Sequence, residues 1–325
     1  MSAGLSISGL TLEFARNGGW AAAVDHCDLT VRPKEIVGLV GESGSGKSLT
    51  ALACLGLIPS ACRASGSIRV SAEQIVGASE ATLATLRGRK VAMIFQNPMT
   101  ALNPYFTVGT QIVGVIRRHF VLTRSAAYRE ALAALQRAGL PDAALGRYPH
   151  QLSGGQLQRA MIAMAIACKP EILIADEPTT ALDVTVQARI LSLLRNLADQ
   201  GMGILLITHD LGVVAQVSDR VAVMYSGSIV ESGDPAGIFS SAAHPYTQGL
   251  LQSSPVIGLG SRRLHAIPGT VPDFRQRPSG CAFRDRCTQA GEICAQGSAP
   301  RMAISQEREV RCHFPIRPGA SAELS

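Results

Sequence analysis

Gly41-Glu42-Ser43-Gly44-Ser45-Gly46-Lys47-Ser48 has the spacing G-x-x-x-x-G-K-[ST], a pattern that cradles phosphate groups. Glycine lets the backbone wrap closely around an anion, and a helix opening behind the loop turns unpaired N–H groups toward it. Lys47 is then placed for the β- and γ-phosphates of a nucleotide, the Ser48 hydroxyl for Mg²⁺, and Leu49 continues into the helix. Ile172-Leu173-Ile174-Ala175-Asp176-Glu177 is an apolar run that ends in two carboxylates. Asp176 suits the Mg²⁺ shell, and Glu177 could polarise an attacking water as a general base. Alone, two acids at a strand end read as a solvated boundary. Joined to the glycine loop they point to phosphoryl transfer. A third ordered group is Cys281-x5-Cys287-x6-Cys294-x17-Cys312, all within the last 45 residues.

The elements that must hold these residues follow from hydrophobic periodicity. Residues 1–254 alternate strand-like with helix-like segments, the pattern of an α/β domain. Ile36–Val40, Val91–Phe95, Ile172–Ala175 and Ile204–Ile207 are continuous apolar runs, which fit strands buried on both faces of a mostly parallel sheet. Leu5–Phe14, Val24–Val31 and Ser67–Val70 read as edge or antiparallel strands. From Asn97 to about Leu152 helical stretches dominate, including Ser125–Ala138 with Ser125 as N-cap and Gly139 as the stop. A helical subdomain at about 97–160 is therefore expected inside the sheet domain. After Pro255 the composition turns to Pro, Gly, Arg and Cys, so 255–325 reads as a separate C-terminal tail.

Bulk properties narrow the class. Of 325 residues 46% are hydrophobic and 17% charged, enough to bury a sizeable core. No apolar run approaches the roughly 20 residues that cross a bilayer. The first fifteen residues carry no Lys or Arg and alternate like a strand, so an intracellular protein is expected. A net charge of +6 without a block of like charge gives nucleic-acid binding no support. Cys27, Cys54, Cys62 and Cys168 are scattered singly and read as small core residues.

Leu152-Ser153-Gly154-Gly155-Gln156 resembles the signature motif of ABC ATPases, and the other marks of that family follow in order. Gln96 matches the Q-loop glutamine, Asp183 in Ala181-Leu182-Asp183 the D-loop, and His209 in Thr208-His209-Asp210 the switch histidine. Phe14 resembles the aromatic that stacks on adenine, with Trp20 as a rival. The resemblance spans about residues 5–250 and implies a P-loop NTPase core that takes ATP and Mg²⁺, with Gln96 joining Ser48 and Asp176 at the metal. It further implies two subunits paired head to tail. Lys47 of one and Ser153 of the other then sandwich one nucleotide, with Gly154, Gly155 and Gln156 opening the signature helix. Glu177 and His209 would orient the attacking water.

Phe95-Gln96-Asn97-Pro98-Met99-Thr100-Ala101-Leu102-Asn103-Pro104, Tyr148-Pro149-His150-Gln151, Ala175-Asp176-Glu177-Pro178-Thr179-Thr180 and His244-Pro245-Tyr246-Thr247 are similar to one branch of the family. That branch is the ATPase subunits of dipeptide and oligopeptide importers, in which Asp usually stands at the place of Asn97. The resemblance implies a second, often non-identical ATPase subunit and two membrane permeases. It also implies an extracytoplasmic solute-binding protein and a place on the cytoplasmic face of the inner membrane. Nickel, glutathione or another small solute would be served by a near-identical motor. Met99, Tyr105 and Phe106, in the segment that would grip the permease, fit either an interface or a local core. For the four tail cysteines, spacing alone leaves zinc and an iron–sulfur cluster about even, and a reducing setting disfavours disulfides. The resemblance favours a [4Fe-4S] cluster, with zinc second, as a staple for a tail poor in apolar residues. ABC ATPases of DNA repair, chromosome organisation and translation carry coiled coils, zinc modules or paired cassettes, which this sequence lacks.

Overall fold

The apolar runs form strands that sort into two sheets, according to whether one face or both are covered. The computed structural model describes residues 4–16, 18–180, 182–254 and 266–316. Ala181 of the D-loop pattern, and the parts of the expected tail at 255–265 and 317–325, lie outside the described residues. One sheet is antiparallel, in the order β2 (Gly19–Val31), β1 (Leu5–Arg16), β4 (Cys62–Val70), β5 (Glu73–Gln74). In β1 Leu5, Ile7, Leu10 and Leu12 are buried while intervening residues face outward, as a half-covered strand requires.

The second sheet has the order β11-β12-β10-β9-β3-β8-β7-β6. Its centre is parallel: β9 (Arg220–Tyr225), β3 (Ile36–Val40), β8 (Gly203–Thr208), β7 (Ile172–Asp176) and β6 (Val91–Ile94). β3, β6, β7 and β8 are buried along their whole length, which is why they read as unbroken apolar runs. Helices cover both faces. α1 (Lys47–Ala53) and α2 (Glu80–Leu86) lie between the sheets, where Ala51, Leu83 and Leu86 join the core shared with β1 and β4.

The segment after β6 is helical, with α3 (Pro98–Ala101), α4 (Val108–His119), α5 (Arg124–Arg137) and α6 (Gly154–Ile166). It has an apolar core of its own, in which Val108, Ile112 and Ile116 of α4 meet Ala131 and Leu135 of α5 and Leu157 and Ala160 of α6. The N-cap of α5 is Thr123, whose hydroxyl accepts from the Ala126 N–H, and not Ser125. Two capping-type hydroxyls stand close together here, and the pattern of apolar residues does not choose between them. Gly139 ends the helix as expected, in the left-handed region at φ 71°. α7 (Val184–Asp199) and α8 (Leu211–Val217) cover the other face of the parallel sheet; α9 (Pro235–Ser240) and α10 (Pro245–Ser253) follow β10 (Ser228–Gly233).

The C-terminal segment does not stand apart. β12 (Arg308–Arg311) pairs with β10, and β11 (Arg301–Ser305) pairs with β12, so the tail extends the main sheet. Phe283 is buried against Tyr225 and Tyr246 in the same core as Val40 and Leu211. The expectation that a metal staple must replace a missing core is therefore corrected. The tail borrows the core of the main domain.

One ion pair pins this junction. The Arg308 guanidinium donates to Glu231 Oε1 at 2.7 Å, and the Ala243 and His244 N–H groups donate to the same carboxylate at 2.8 Å each. Glu231 is 1% exposed and Arg308 5%. Removing one member of a buried, hydrogen-bonded pair strands the other charge. Glu231→Ala is thus expected to cost about 3–5 kcal/mol. Chemical denaturation monitored by circular dichroism checks it, and an unchanged midpoint would remove the pair from its structural role.

Candidate active site

Four neighbouring parallel strands deliver the candidate residues at their carboxyl ends, the place where open α/β sheets bind ligands. β3 runs into Gly41, β6 is followed by Phe95 and Gln96, β7 ends in Asp176 and Glu177, and β8 is followed by His209. Because these strands pair in register, residues far apart in the chain converge without any long side chain having to reach.

The loop Gly41–Ser48 is shaped by backbone geometry. Gly46, at the N-cap of α1, has φ 104°, and no side chain caps the helix. The first N–H groups of α1 are therefore left for an anion. Lys47 is folded back over the loop. Its ammonium donates to Gly41 O at 2.7 Å, Glu42 O at 2.8 Å and Ser45 Oγ at 3.2 Å. Burial lowers its pKa from the usual lysine range, and the charges of Glu177, Asp176 and Glu42 offset this only in part. No hydrogen-bonded carboxylate neutralises the cation among the described residues, so Lys47 holds a charge ready for phosphate.

Asp176 is 5% exposed, and its Oδ1 has no hydrogen-bond partner. Burial pushes its carboxyl above the usual carboxylate range, partly offset by the nearby Ser48 hydroxyl and the Lys47 charge. An orphaned, buried carboxylate oxygen beside a serine hydroxyl fits a divalent cation. Ser48 and Asp176 would hold Mg²⁺, which would neutralise charge on the phosphates. Gln96 stands apart from this pair: its Nε2 donates to Glu177 Oε2 at 2.9 Å.

Glu177 is the most constrained side chain of the site. It has φ 48°, a left-handed conformation rare for glutamate, and backbone strain of this kind clusters at functional sites. Three partners aim its carboxylate: Gln96, Thr180 Oγ1 at 2.9 Å on Oε2, and His209 Nδ1 at 3.0 Å on Oε1. Burial raises its pKa, but the His209 and Thr180 hydrogen bonds and the His209 and Lys47 charges outweigh burial and bring it below the usual glutamate range. The carboxylate is thus ionised and fixed in direction, as a base that orients water must be. His209 is bound to it and otherwise largely exposed.

The signature residues lie elsewhere. Ser153 caps α6, its Oγ accepting from Gln156 N–H at 3.4 Å while Gln156 Oε1 accepts from Ser153 N–H at 3.1 Å. Ser153, Gly154 and Gln156 are exposed, and no described hydrogen bond joins them to Gly41–Ser48. At Gly155 an added Cβ would stand 2.8 Å from Val186, so this glycine also lets α6 approach α7. Asp183 caps α7 through the Val186 N–H at 2.8 Å and is exposed. Phe14 is half-buried against Phe274, with ring centroids 5.5 Å apart, whereas Trp20 is exposed under the guanidinium of Arg63.

Sequence reasoning missed the contribution of the C-terminal half to this site. The Tyr246 hydroxyl accepts from the Glu42 N–H at 2.8 Å, and Arg286 binds the Glu42 carboxylate. Tyr246 lies in a segment already singled out by its resemblance; Arg286 had no signal beyond standing next to Cys287.

Cys281, Cys287, Cys294 and Cys312 line one small cavity with Phe283 and His313. The Cys281 N–H donates to Cys294 O at 2.8 Å, and burial raises the pKa values of Cys281, Cys287 and Cys312. Yet among the described residues no three His, Cys, Asp or Glu side chains stand close enough to hold a metal ion. The four cysteines converge on one cavity but form no single-ion site.

A phosphate loop, a buried acid, an aimed glutamate and a detached glycine-led helix on this sheet define an ABC-type ATPase. Residues 24–180 match the ABC transporter family, and residues 230–294 match the oligopeptide/dipeptide transporter C-terminal region. The second match starts within β10, ahead of the compositional break at Pro255, in line with a tail woven into the main sheet. The dipeptide transport ATP-binding protein of Escherichia coli is 44% identical over 316 residues, covering 96% of this chain and 97% of that one. A Brucella abortus protein named for peptide import and ATP binding is 47% identical over 312 residues, covering 95% and 94%. Among solved structures, the dimeric post-hydrolysis ATP-binding cassette MJ0796, bound to ADP and phosphate, gives a TM-score of 0.64 at 26% identity, covering 71% of this chain and 98% of that one. The protein belongs to the ATP-binding subunits of ABC transporters, in their oligopeptide/dipeptide branch. It is an ATP-hydrolysing enzyme.

Proposed function

We propose that this subunit hydrolyses ATP to energise the uptake of dipeptides or oligopeptides by an ABC importer. One observation carries the motor reading. Lys47, Asp176, Glu177 and His209 share one site, whereas Ser153, the second phosphate-binding element, caps a helix whose exposed N-terminus makes no described hydrogen bond to it. A nucleotide sandwiched between the loop of one subunit and the Ser153 helix of another makes dimer closure depend on the γ-phosphate, a population switch that can drive transport. The dimeric state of the cassette MJ0796 supports this pairing, and the names of the E. coli and Brucella relatives support the peptide solute.

In this reading ATP lies along Gly41–Leu49, with Phe14 against the base and Gln96 and Asp183 near the metal and the subunit boundary. The partners are a second, non-identical ATPase subunit, two membrane permeases and an extracytoplasmic binding protein, with the chain on the cytoplasmic face of the inner membrane. No described helix is long and apolar enough to cross a membrane, which agrees with a peripheral subunit. Met99, Tyr105 and Phe106 are exposed and would meet the permease. The helical segment at 97–160 acts as the lever between permease and nucleotide, within a nucleotide-binding domain of 1–254 and a tail of 255–325. The tail cysteines form a thiolate site for an iron–sulfur cluster, which the shared cavity supports, with zinc second because they form no single-ion site.

Co-purifying the complex and reconstituting it in vesicles tests the solute. ATP-dependent accumulation of a labelled dipeptide is expected, and accumulation of nickel or glutathione with none of peptide would overturn the assignment. Iron, sulfide and zinc content of the same preparation, purified anaerobically, tests the tail: about four irons with broad visible absorbance is the expected result.

A further inference from the structure

Glu42 is an acid set into a loop built to bind anions. Its three polar groups are all held: the N–H by the Tyr246 hydroxyl at 2.8 Å, the carbonyl by Lys47 at 2.8 Å, and the carboxylate by Arg286. The last contact is bidentate, with Nη1 2.7 Å from Oε2 and Nη2 3.0 Å from Oε1. Such a fork-to-carboxylate pair fixes geometry as well as charge. The Arg286 side chain is 6% exposed, whereas that of Glu42 is 30% exposed. The guanidinium is further anchored by Nε to Pro268 O at 2.8 Å and lies 5.8 Å from the ring centroids of Tyr225 and Phe283. Arg286 is therefore rigid, while its partner belongs to the phosphate loop itself, where its charge reaches Lys47.

We propose that Arg286 is a positioning residue of the nucleotide site, contributed by the C-terminal segment, which clamps and neutralises Glu42 so that the phosphate loop accepts a triphosphate. The inference rests on the reading that Gly41–Ser48 binds ATP. Without the guanidinium, the Glu42 carboxylate would repel the phosphates, and the penalty would grow with the charge of the nucleotide. A merely structural pair would show no such dependence.

The test measures MgATP and MgADP binding to the assembled transporter complex. Arg286→Gln is expected to weaken MgATP binding roughly tenfold and MgADP binding less, with the change falling on KM for ATP rather than on kcat. Glu42→Gln should tighten MgATP binding, because the loop loses a negative charge while Arg286 keeps its positive one, and this variant serves if Arg286→Gln does not fold. The double variant should recover most of the loss, and Arg286→Lys should fall between wild type and Arg286→Gln. Equal losses for ATP and ADP, a double variant no better than Arg286→Gln, or weaker MgATP binding by Glu42→Gln would each overturn the proposal. If Lys47→Ala leaves ATP binding intact, the site reading itself fails. If Lys47→Ala abolishes binding while the Arg286 arms stay flat, only this inference fails.

Discussion

Glu177→Gln, with the matching acid of the partner subunit changed in parallel, lowers ATP turnover on the order of 10²–10⁴-fold while MgATP stays bound. The split follows from what Glu177 touches. Its carboxylate is aimed by Gln96, Thr180 and His209, and its pKa is held below the usual glutamate range, which suits a directed proton acceptor and not a phosphate ligand. The amide is nearly isosteric. Its oxygen still accepts from Gln96 and Thr180, and its nitrogen can face His209 if the ring nitrogen there carries no proton. The fold and the strained backbone at φ 48° are therefore retained, and only basicity is lost. Single-turnover measurement on the purified complex checks this. Turnover within tenfold of wild type would remove Glu177 from the base role, whereas lost binding would show that its part is to organise the loop.

His209 belongs to the same unit. With its ring on Glu177 Oε1 at 3.0 Å, it is placed to orient the proposed base. Effects of residues that work as a unit do not add. A His209 variant combined with Glu177→Gln should thus cost little more than Glu177→Gln by itself.

What could be read from the sequence was what is local. Asp176, Glu177 and His209 each directly follow, or end, an apolar run whose burial on both faces marks it as a parallel strand, and Lys47 closes the glycine loop behind another; short spacing from such a strand fixes where the side chain goes. Gln96 was singled out by its resemblance to the Q-loop glutamine, and it donates to Glu177. The signature helix was legible because a cap and its N3 glutamine are four residues of one turn. What escaped depends on contacts between distant parts of the chain. Arg286 meets Glu42 across 244 residues, and Arg308 meets Glu231 across 77. No periodicity encodes such pairs. β11 and β12 are short and half-exposed, so their alternation is too brief to separate them from loop, and the tail read as coreless because its core lies in the preceding domain. Four cysteines in order suggested a ligated centre; the shared cavity agrees in direction, although they form no single-ion site.

Lys47→Ala is expected to weaken MgATP binding on the order of 10²–10³-fold without destabilising the nucleotide-free protein. Lys47 is 7% exposed, and the hydrogen bonds of its ammonium go to two carbonyls and a hydroxyl, none of which carries charge. Burial accordingly lowers its pKa from the usual lysine range, which means that the empty site holds the cation at a cost. Phosphate repays that cost with charge-assisted hydrogen bonds, so the substitution removes a favourable contact only when nucleotide is present. Thermal unfolding separates the two states. At a nucleotide concentration near 100 times the wild-type Kd, binding stabilises by about 2.7 kcal/mol, a rise in Tm of roughly 5 °C for a chain of this size. Lys47→Ala should show an unliganded Tm no lower than wild type and a nucleotide shift of less than about 1 °C. A lower unliganded Tm would make Lys47 a structural member of the loop, and an undiminished shift would place the triphosphate somewhere other than Gly41–Ser48.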